Sequence, residues 1–230
     1  MTLPADRRRA VLRTSLGVGV ATGAYGVSFG ALATASGLDV LQACALSLLA
    51  FSGASQFAFV GVVSGGGPLL SGTATSVLLG ARNGFYGLRI AEILRVRGAR
   101  RLAAAQLTID ESTAVAVAQP EEAAARLGFW STGLSIYVLW NLATLVGALG
   151  GTAMGDPATW GLDAAAPAAF LALVAPRLQG RRPVLVAVVA AVLALALVPV
   201  SPAGVPVMAG ALLAVTGAVL VRASTTSAGA

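Results

Sequence analysis

Leu49-Ala50-Phe51-Ser52-Gly53-Ala54-Ser55-Gln56-Phe57-Ala58-Phe59 places a small-polar cluster, Ser52 to Gln56, in the middle of an apolar run. The run, 40–63, is long enough to cross a bilayer. Lipid offers no hydrogen bonds, so an amide or hydroxyl at that depth must face protein, water or a substrate. Gly53 between two serines also weakens the helix, and broken helices at mid-membrane are where transporters often build binding sites. The alternative is close helix packing, for which Gly, Ala and Ser are the usual residues. Two further polar clusters downstream tip the reading towards transport.

Composition sets the class around this stretch. Of 230 residues, 57% are hydrophobic and 10% charged, with a mean hydropathy of +0.86. Soluble domains carry about 25% charged residues. The chain therefore reads as an all-α, polytopic transmembrane bundle with broken or re-entrant helices. One membrane domain is expected over 1–222, with a disordered tail over 223–230. The net charge is +6, and every one of the 15 basic residues is arginine. They cluster at segment ends, which marks topology and not a nucleic-acid surface. There is no histidine and one cysteine, Cys44, in an apolar segment. Disulfides and His- or Cys-based metal sites are thereby excluded. Arg7-Arg8-Arg9 resembles a basic signal flank, but the Gly-rich segment behind it lacks a cleavage site.

Apolar segments are expected at 14–36, 40–63, 68–94, 127–150, 162–176, 183–200 and 203–221. Arg7, Arg8, Arg9 and Arg13 place the N-terminus in the cytoplasm, as Arg177, Arg181, Arg182 and Arg222 do for later ends. Asp39, Asp156 and Asp163 then lie outside. Three simple crossings would put Arg95 to Arg101 outside, against the rule. Either 68–94 is a broken or re-entrant hairpin, or 103–118 also crosses. Gly80-Ala81-Arg82-Asn83-Gly84, at the centre of 68–94, favours a break there. A short internal repeat is visible as well. Gly30-Ala31-Leu32 followed by Gly37-Leu38-Asp39 recurs as Gly147-Ala148-Leu149 followed by Gly161-Leu162-Asp163.

The second polar cluster is Arg82-Asn83. A buried arginine costs several kcal/mol unless it is paired or hydrated, and a guanidinium grips a carboxylate in bidentate fashion. It reads as a ligand-carboxylate site or an ion pair at a helix break, against simple snorkelling to the interface. The third cluster is Leu107-Thr108-Ile109-Asp110-Glu111-Ser112-Thr113. Adjacent acids point about 100° apart on a helix and cannot face one partner. One of them can pair with Arg82 or Arg89, or carry a coupling proton, since desolvation disfavours a charged carboxyl in the membrane. Thr108 and Glu111 also have capping-box spacing, which would make the acids a helix start. Asn141, beside Trp140 in 127–150, needs a hydrogen-bond partner at its depth. Tyr25, Ser28 and the glycines of 14–36 either pack helices or shape a substrate path. The candidate substrate-binding set is Ser28, Ser52, Ser55, Gln56, Arg82, Asn83 and Asn141, with Asp110 and Glu111 for coupling.

At these residues the chain resembles the AzlC-type family, the large subunit of branched-chain amino acid exporters. The resemblance covers about 14–200. It rests on Phe-Ser-Gly-Ala-Ser-Gln-Phe at 51–57, Ala-Arg-Asn-Gly-Phe-Tyr-Gly at 81–87 and Leu-Thr-Ile-Asp-Glu-Ser at 107–112. The family usually carries an asparagine two residues before the arginine, where this chain has Gly80. The resemblance implies a multi-pass exporter of valine, leucine, isoleucine or similar apolar amino acids in the bacterial cytoplasmic membrane. It also implies a small AzlD-type membrane subunit as partner. No phosphate-binding Gly-x-x-x-x-Gly-Lys-Ser/Thr loop occurs, so an ion gradient, the proton being one candidate, or the substrate gradient must supply energy. No cofactor is expected. The competing readings are an assembly subunit without its own substrate site and an intramembrane enzyme; the latter lacks a His pair, a spaced Asp pair or Gly-x-Ser-x-Gly.

Overall fold

A computed structural model of the chain describes residues 3–154, 178–202 and 204–227, with positions 159, 171, 174 and 175. The expected segment 162–176, the second half of the repeat at 161–163, and Asp156, Asp163 and Arg177 lie outside or largely outside the described residues. Among the described residues the chain is helical and has no strand. This is an all-α membrane protein.

Two long helices form the spine: α1 (Ala5–Ala35) and α7 (Glu122–Met154). Both are long and apolar enough to cross a bilayer. Small residues let them touch along their length. A β-carbon at Gly23 would meet Leu139, one at Gly26 would sit 2.6 Å from the Trp140 carbonyl oxygen, and one at Gly151 would meet Thr34. The residue numbers on the two helices climb together, so the helices run parallel. Gly30-Ala31-Leu32 lies beside Gly147-Ala148-Leu149, the first half of the sequence repeat. Hydroxyls add glue within the seam: Ser131 and Thr132 donate to Ser15 Oγ at 2.7 and 2.9 Å.

The segment 40–63 is not one crossing. It divides into α2 (Val40–Leu49) and α3 (Gly53–Ser64), broken at Ala50-Phe51-Ser52. Asp39 opens α2 with a capping box, its carboxylate accepting from the Gln42 N–H at 2.7 Å. α2 runs against α7 towards mid-depth, where Ser47 meets Thr144. α3 turns back: Gly53 abuts Trp140, and Phe57 lies farther along, against Phe29 with ring centroids 5.6 Å apart. The pair is a re-entrant hairpin that enters from the end where α1 finishes.

α4 (Leu69–Leu94) is one continuous 26-residue helix. The break expected at Gly80–Gly84 is absent, and this corrects the sequence reading. The physical reason is that α4 satisfies its own backbone, while the Arg82 charge is met from outside by Asp110, 3.0 Å away. Gly80 serves packing instead, since a β-carbon there would lie 3.2 Å from Ser55 Oγ. α4 runs antiparallel to α3, with Gly72 under Phe59 and Gly80 beside Ser55. Its last turn ends next to α7's first, where Arg126 Nε donates to the Ile93 carbonyl at 2.9 Å.

A second re-entrant hairpin follows: α5 (Ala99–Gln106) rises and α6 (Asp110–Val117) descends beside α7. Leu107 packs on Gly133 and Val115 on Gly128, so α6 and α7 are antiparallel. The chain returns to the starting end, where Arg7 donates to the Gln119 side chain at 3.3 Å. Arg95 to Arg101 thus share an end with Arg7 to Arg9. The charge conflict in the sequence is resolved by the hairpin at 40–64, not by a break in 68–94.

α4 with its hairpin repeats, upside down, what α1 with its hairpin does. This inverted arrangement brings both hairpin tips to the same depth. α8 (Arg181–Leu197) and α9 (Val205–Ser227) form an antiparallel pair beside α4, and Gly204 touches Thr75 and Ser71. Large apolar side chains such as Leu16, Val20, Leu70, Phe85, Leu142 and Leu149 cover the outside, as a bilayer solvent requires.

Candidate functional site

A helix broken at membrane depth leaves four backbone carbonyls at one stump and four N–H groups at the next. The two kinds of stump are treated differently here. The carbonyl end of α2 is satisfied by side chains. Gln56 Nε2 donates to the Leu46 and Ser47 carbonyls at 3.2 and 3.3 Å. Gln106 Nε2 and Tyr137 Oη donate to the Leu48 carbonyl at 2.8 and 3.2 Å. At the carbonyl end of α5, Thr108 Oγ1 donates to Ala104 at 2.7 Å, and Ser112 Oγ donates to Leu107 at 2.6 Å.

The amide ends, by contrast, open on a cavity. The N-caps of α3 and α6 are Ser52 and Ile109. The first turns of both helices, Ser52-Gly53-Ala54 and Ile109-Asp110-Glu111, line one cavity of about 180 Å3. The Ser52 side chain takes no N–H of α3; its oxygen accepts from Ser55 Oγ at 3.2 Å. The expected Thr108–Glu111 capping box is not formed. Thr108 turns back to Ala104, and Ser112 accepts the Ile109 N–H at 3.1 Å instead. The helix starts one residue too late for Thr108 to reach it. Two positive dipole ends therefore face one space from opposite sides of the bundle.

Arg82 and Asn83 of α4 form another wall of that cavity. Arg82 Nη1 pairs with Asp110 Oδ2 at 3.0 Å, with side chains 38% and 17% exposed. The pairing is single-pronged. Arg82 Nε, Asn83 Oδ1, Asp110 Oδ1 and Trp140 Nε1 are buried and have no hydrogen-bond partner among the described residues. A buried polar atom left unpaired costs about 1–3 kcal/mol, so four around one cavity mark a place for a polar guest. Most of the rest of the lining is apolar, Phe51, Phe57, Ile136 and Trp140, joined by Thr22 and Tyr25 of α1. Trp140 is 4% exposed and stacks on Phe29 at 6.1 Å. A β-carbon at Gly53 would lie 3.1 Å from its ring, so glycine gives the indole a close seat against the first turn of α3.

The three sequence clusters thus meet in one place. Ser52, Arg82, Asn83, Asp110 and Glu111 line the cavity. Ser55 is buried behind it and lines a neighbouring crevice with Ser52 and Asn83. Gln56 is fully buried and ties the hairpin's arms together; Asn141 Nδ2 donates to Tyr137 of its own helix at 2.7 Å. Neither Gln56, Asn141 nor Ser28 lines the cavity. Sequence reading missed the apolar wall, because Ile136 and Trp140 look like any packing residues in an apolar helix. The one legible signal was an indole N–H at membrane depth.

The cavity exceeds the roughly 150 Å3 of an engineered cavity that takes up benzene, which suits a molecule of amino-acid size. It offers a guanidinium and two helix N-termini for a carboxylate, carboxylates for an ammonium, and an aromatic-aliphatic wall for an apolar side chain. Among the described residues no cluster of three or more metal-ligating acids, histidines or cysteines occurs.

A family model described as AzlC protein matches residues 17–154. A protein of Archaeoglobus fulgidus described as an uncharacterized membrane protein is 36% identical over 156 residues, covering 67% of this chain and 68% of that one. No solved structure matches the chain.

Proposed function

The chain belongs to the AzlC family, and on that premise we propose that it is a secondary transporter exporting branched-chain or similar apolar amino acids. The observation that carries the reading is the cavity where the two hairpin tips meet, polar on one side and apolar on the other. The substrate carboxylate lies against Arg82 and the first turn of α3. The ammonium lies towards Asp110 and Glu111, and the side chain fills the wall of Phe51, Ile136 and Trp140. The end carrying Arg7 to Arg9 and Arg95 to Arg101 is cytoplasmic in this reading. The resemblance adds a small AzlD-type subunit to the working complex and the bacterial cytoplasmic membrane as its place.

Alternating access is part of this reading: the two hairpins enter from different faces, and movement of either would open the cavity to one side. The Arg82–Asp110 pair links α4 to the second hairpin and lies in the substrate's path. A substrate carboxylate competes with Asp110 for the same guanidinium. Asp110, so displaced, is the group this reading assigns to coupling, with the proton as the candidate ion.

The test is efflux of preloaded labelled isoleucine, methionine and alanine from cells expressing the chain alone or with an AzlD-type subunit. Efflux of isoleucine above the level of empty cells supports the reading. Its absence in both arms points to an assembly role.

A further inference from the structure

A second crevice, of about 740 Å3, lies outside the substrate cavity, between the second half of α4 and α5. Its floor is apolar and smooth: Gly84, Gly87, Leu88, Ala91 and Leu94. Among the described residues a β-carbon at Gly84 or Gly87 would meet nothing within 4 Å, so none of the described helices packs on these two glycines. At one end stand Arg95, Arg97 and Arg101. Among the described residues no carboxylate pairs with any of the three, and none lines the crevice. Arg95 Nε donates only to the Glu92 carbonyl, at 3.1 Å.

We infer that this crevice is a binding site for an anionic phospholipid. Three observations fit one occupant. From Gly84 to Arg95 is eleven helical residues, about 16 Å, which is half of a hydrocarbon core of roughly 30 Å. The groove is therefore one leaflet deep, the reach of an acyl chain. The three unpaired arginines sit at its outer end, where a phosphodiester headgroup would lie. They share that end with Arg7 to Arg9, which places them on the cytoplasmic leaflet, the anionic one. A second protein helix seated here would have to desolvate three unpaired guanidinium groups and supplies no charge that the lipid headgroup lacks.

The site has a consequence for the hairpin. Thr108, at the tip, closes the inner end of the crevice, and α5 forms one wall. Gln106 at the end of α5 holds the α2 stump. A lipid wedged between α4 and α5 therefore sets how far the second hairpin stands from α4.

The experiment uses the purified full chain with phosphatidylglycerol and phosphatidylcholine of matched acyl chains, and lipid retention is read by native mass spectrometry. The wild type retains phosphatidylglycerol in preference to phosphatidylcholine, and soluble glycerol phosphate does not displace it. Arg95→Gln/Arg97→Gln/Arg101→Gln loses the preference, by the order of fivefold per arginine. Arg97→Gln alone serves should the triple variant not fold. Gly87→Phe fills the groove where space is open and lowers retention with all arginines intact. Equal retention of both lipids by the wild type overturns the inference. So does unchanged retention in Gly87→Phe, which would leave only a diffuse basic surface. Displacement by glycerol phosphate, or a copurifying small membrane protein that the variants release in place of lipid, overturns it as well.

Discussion

Arg82 on α4 reaches Asp110 on α6 with one nitrogen, at 3.0 Å, and its Nε is buried without a partner. Asp110 likewise keeps one oxygen unpaired. The pair is half-made, and both of its residues line the cavity. A pair that existed only to neutralise charge would use the whole fork.

Arg82→Lys keeps the charge and loses the planar fork. Transport falls at least about tenfold, a loss on the scale of one charged hydrogen bond, while the protein still reaches the membrane. Efflux assays with immunodetected membrane levels check this. Wild-type efflux in Arg82→Lys would mean that the arginine only balances Asp110.

Asp110→Asn retains the size of the side chain and removes its ionisable group. Efflux measured across a pH series becomes flat in this variant, whereas Glu111→Gln keeps a pH-dependent profile. Full pH dependence in Asp110→Asn moves the coupling elsewhere.

Gln56→Leu leaves the Ser47 carbonyl unpaired at membrane depth. The expected cost is about 1–3 kcal/mol of stability, read as a lowered melting temperature in detergent. Affinity for substrate in the surviving folded fraction is unchanged, because Gln56 stands behind the cavity. Gln106→Leu costs less, because Tyr137 Oη still donates to the Leu48 carbonyl.

Gly26→Ala drives a β-carbon to 2.6 Å from the Trp140 carbonyl oxygen, whereas Gly17→Ala enters open space. The first costs about 1–3 kcal/mol by overpacking. The second is neutral or slightly stabilising through helix propensity. Thermal unfolding of both variants separates seam packing from composition.

Much of the site was legible and much of the path to it was not. The polar clusters at 51–57, 81–87 and 107–112 stood out because lipid tolerates no idle polar group, and all three reach one cavity. The weak point at Gly53 was legible, but the doubling back of 40–64 at that point was hidden. Ala50-Phe51-Ser52 has no proline and an unremarkable composition. The break is held by Gln56, Gln106 and Tyr137, two of which lie far along the chain. Gly80 and Gly84 misled for the opposite reason. Glycine permits a break, but a helix that keeps its own hydrogen bonds in lipid has no cause to take it. The arginines at 95–101 carried the correct topology throughout; only the element that doubles back was misplaced. Gly30-Ala31-Leu32 and its recurrence at 147–149 lie side by side in the parallel seam of α1 and α7.

The central claim is that the meeting point of the hairpin tips binds a zwitterion by its carboxylate. Competition against labelled leucine bound to the purified chain tests it most directly, with leucine, leucinamide and norvaline as competitors. The account predicts that leucine and norvaline compete, that leucinamide is weaker by a factor of roughly 100 or more, and that Arg82→Ala abolishes binding. Leucinamide competing as well as leucine would contradict it.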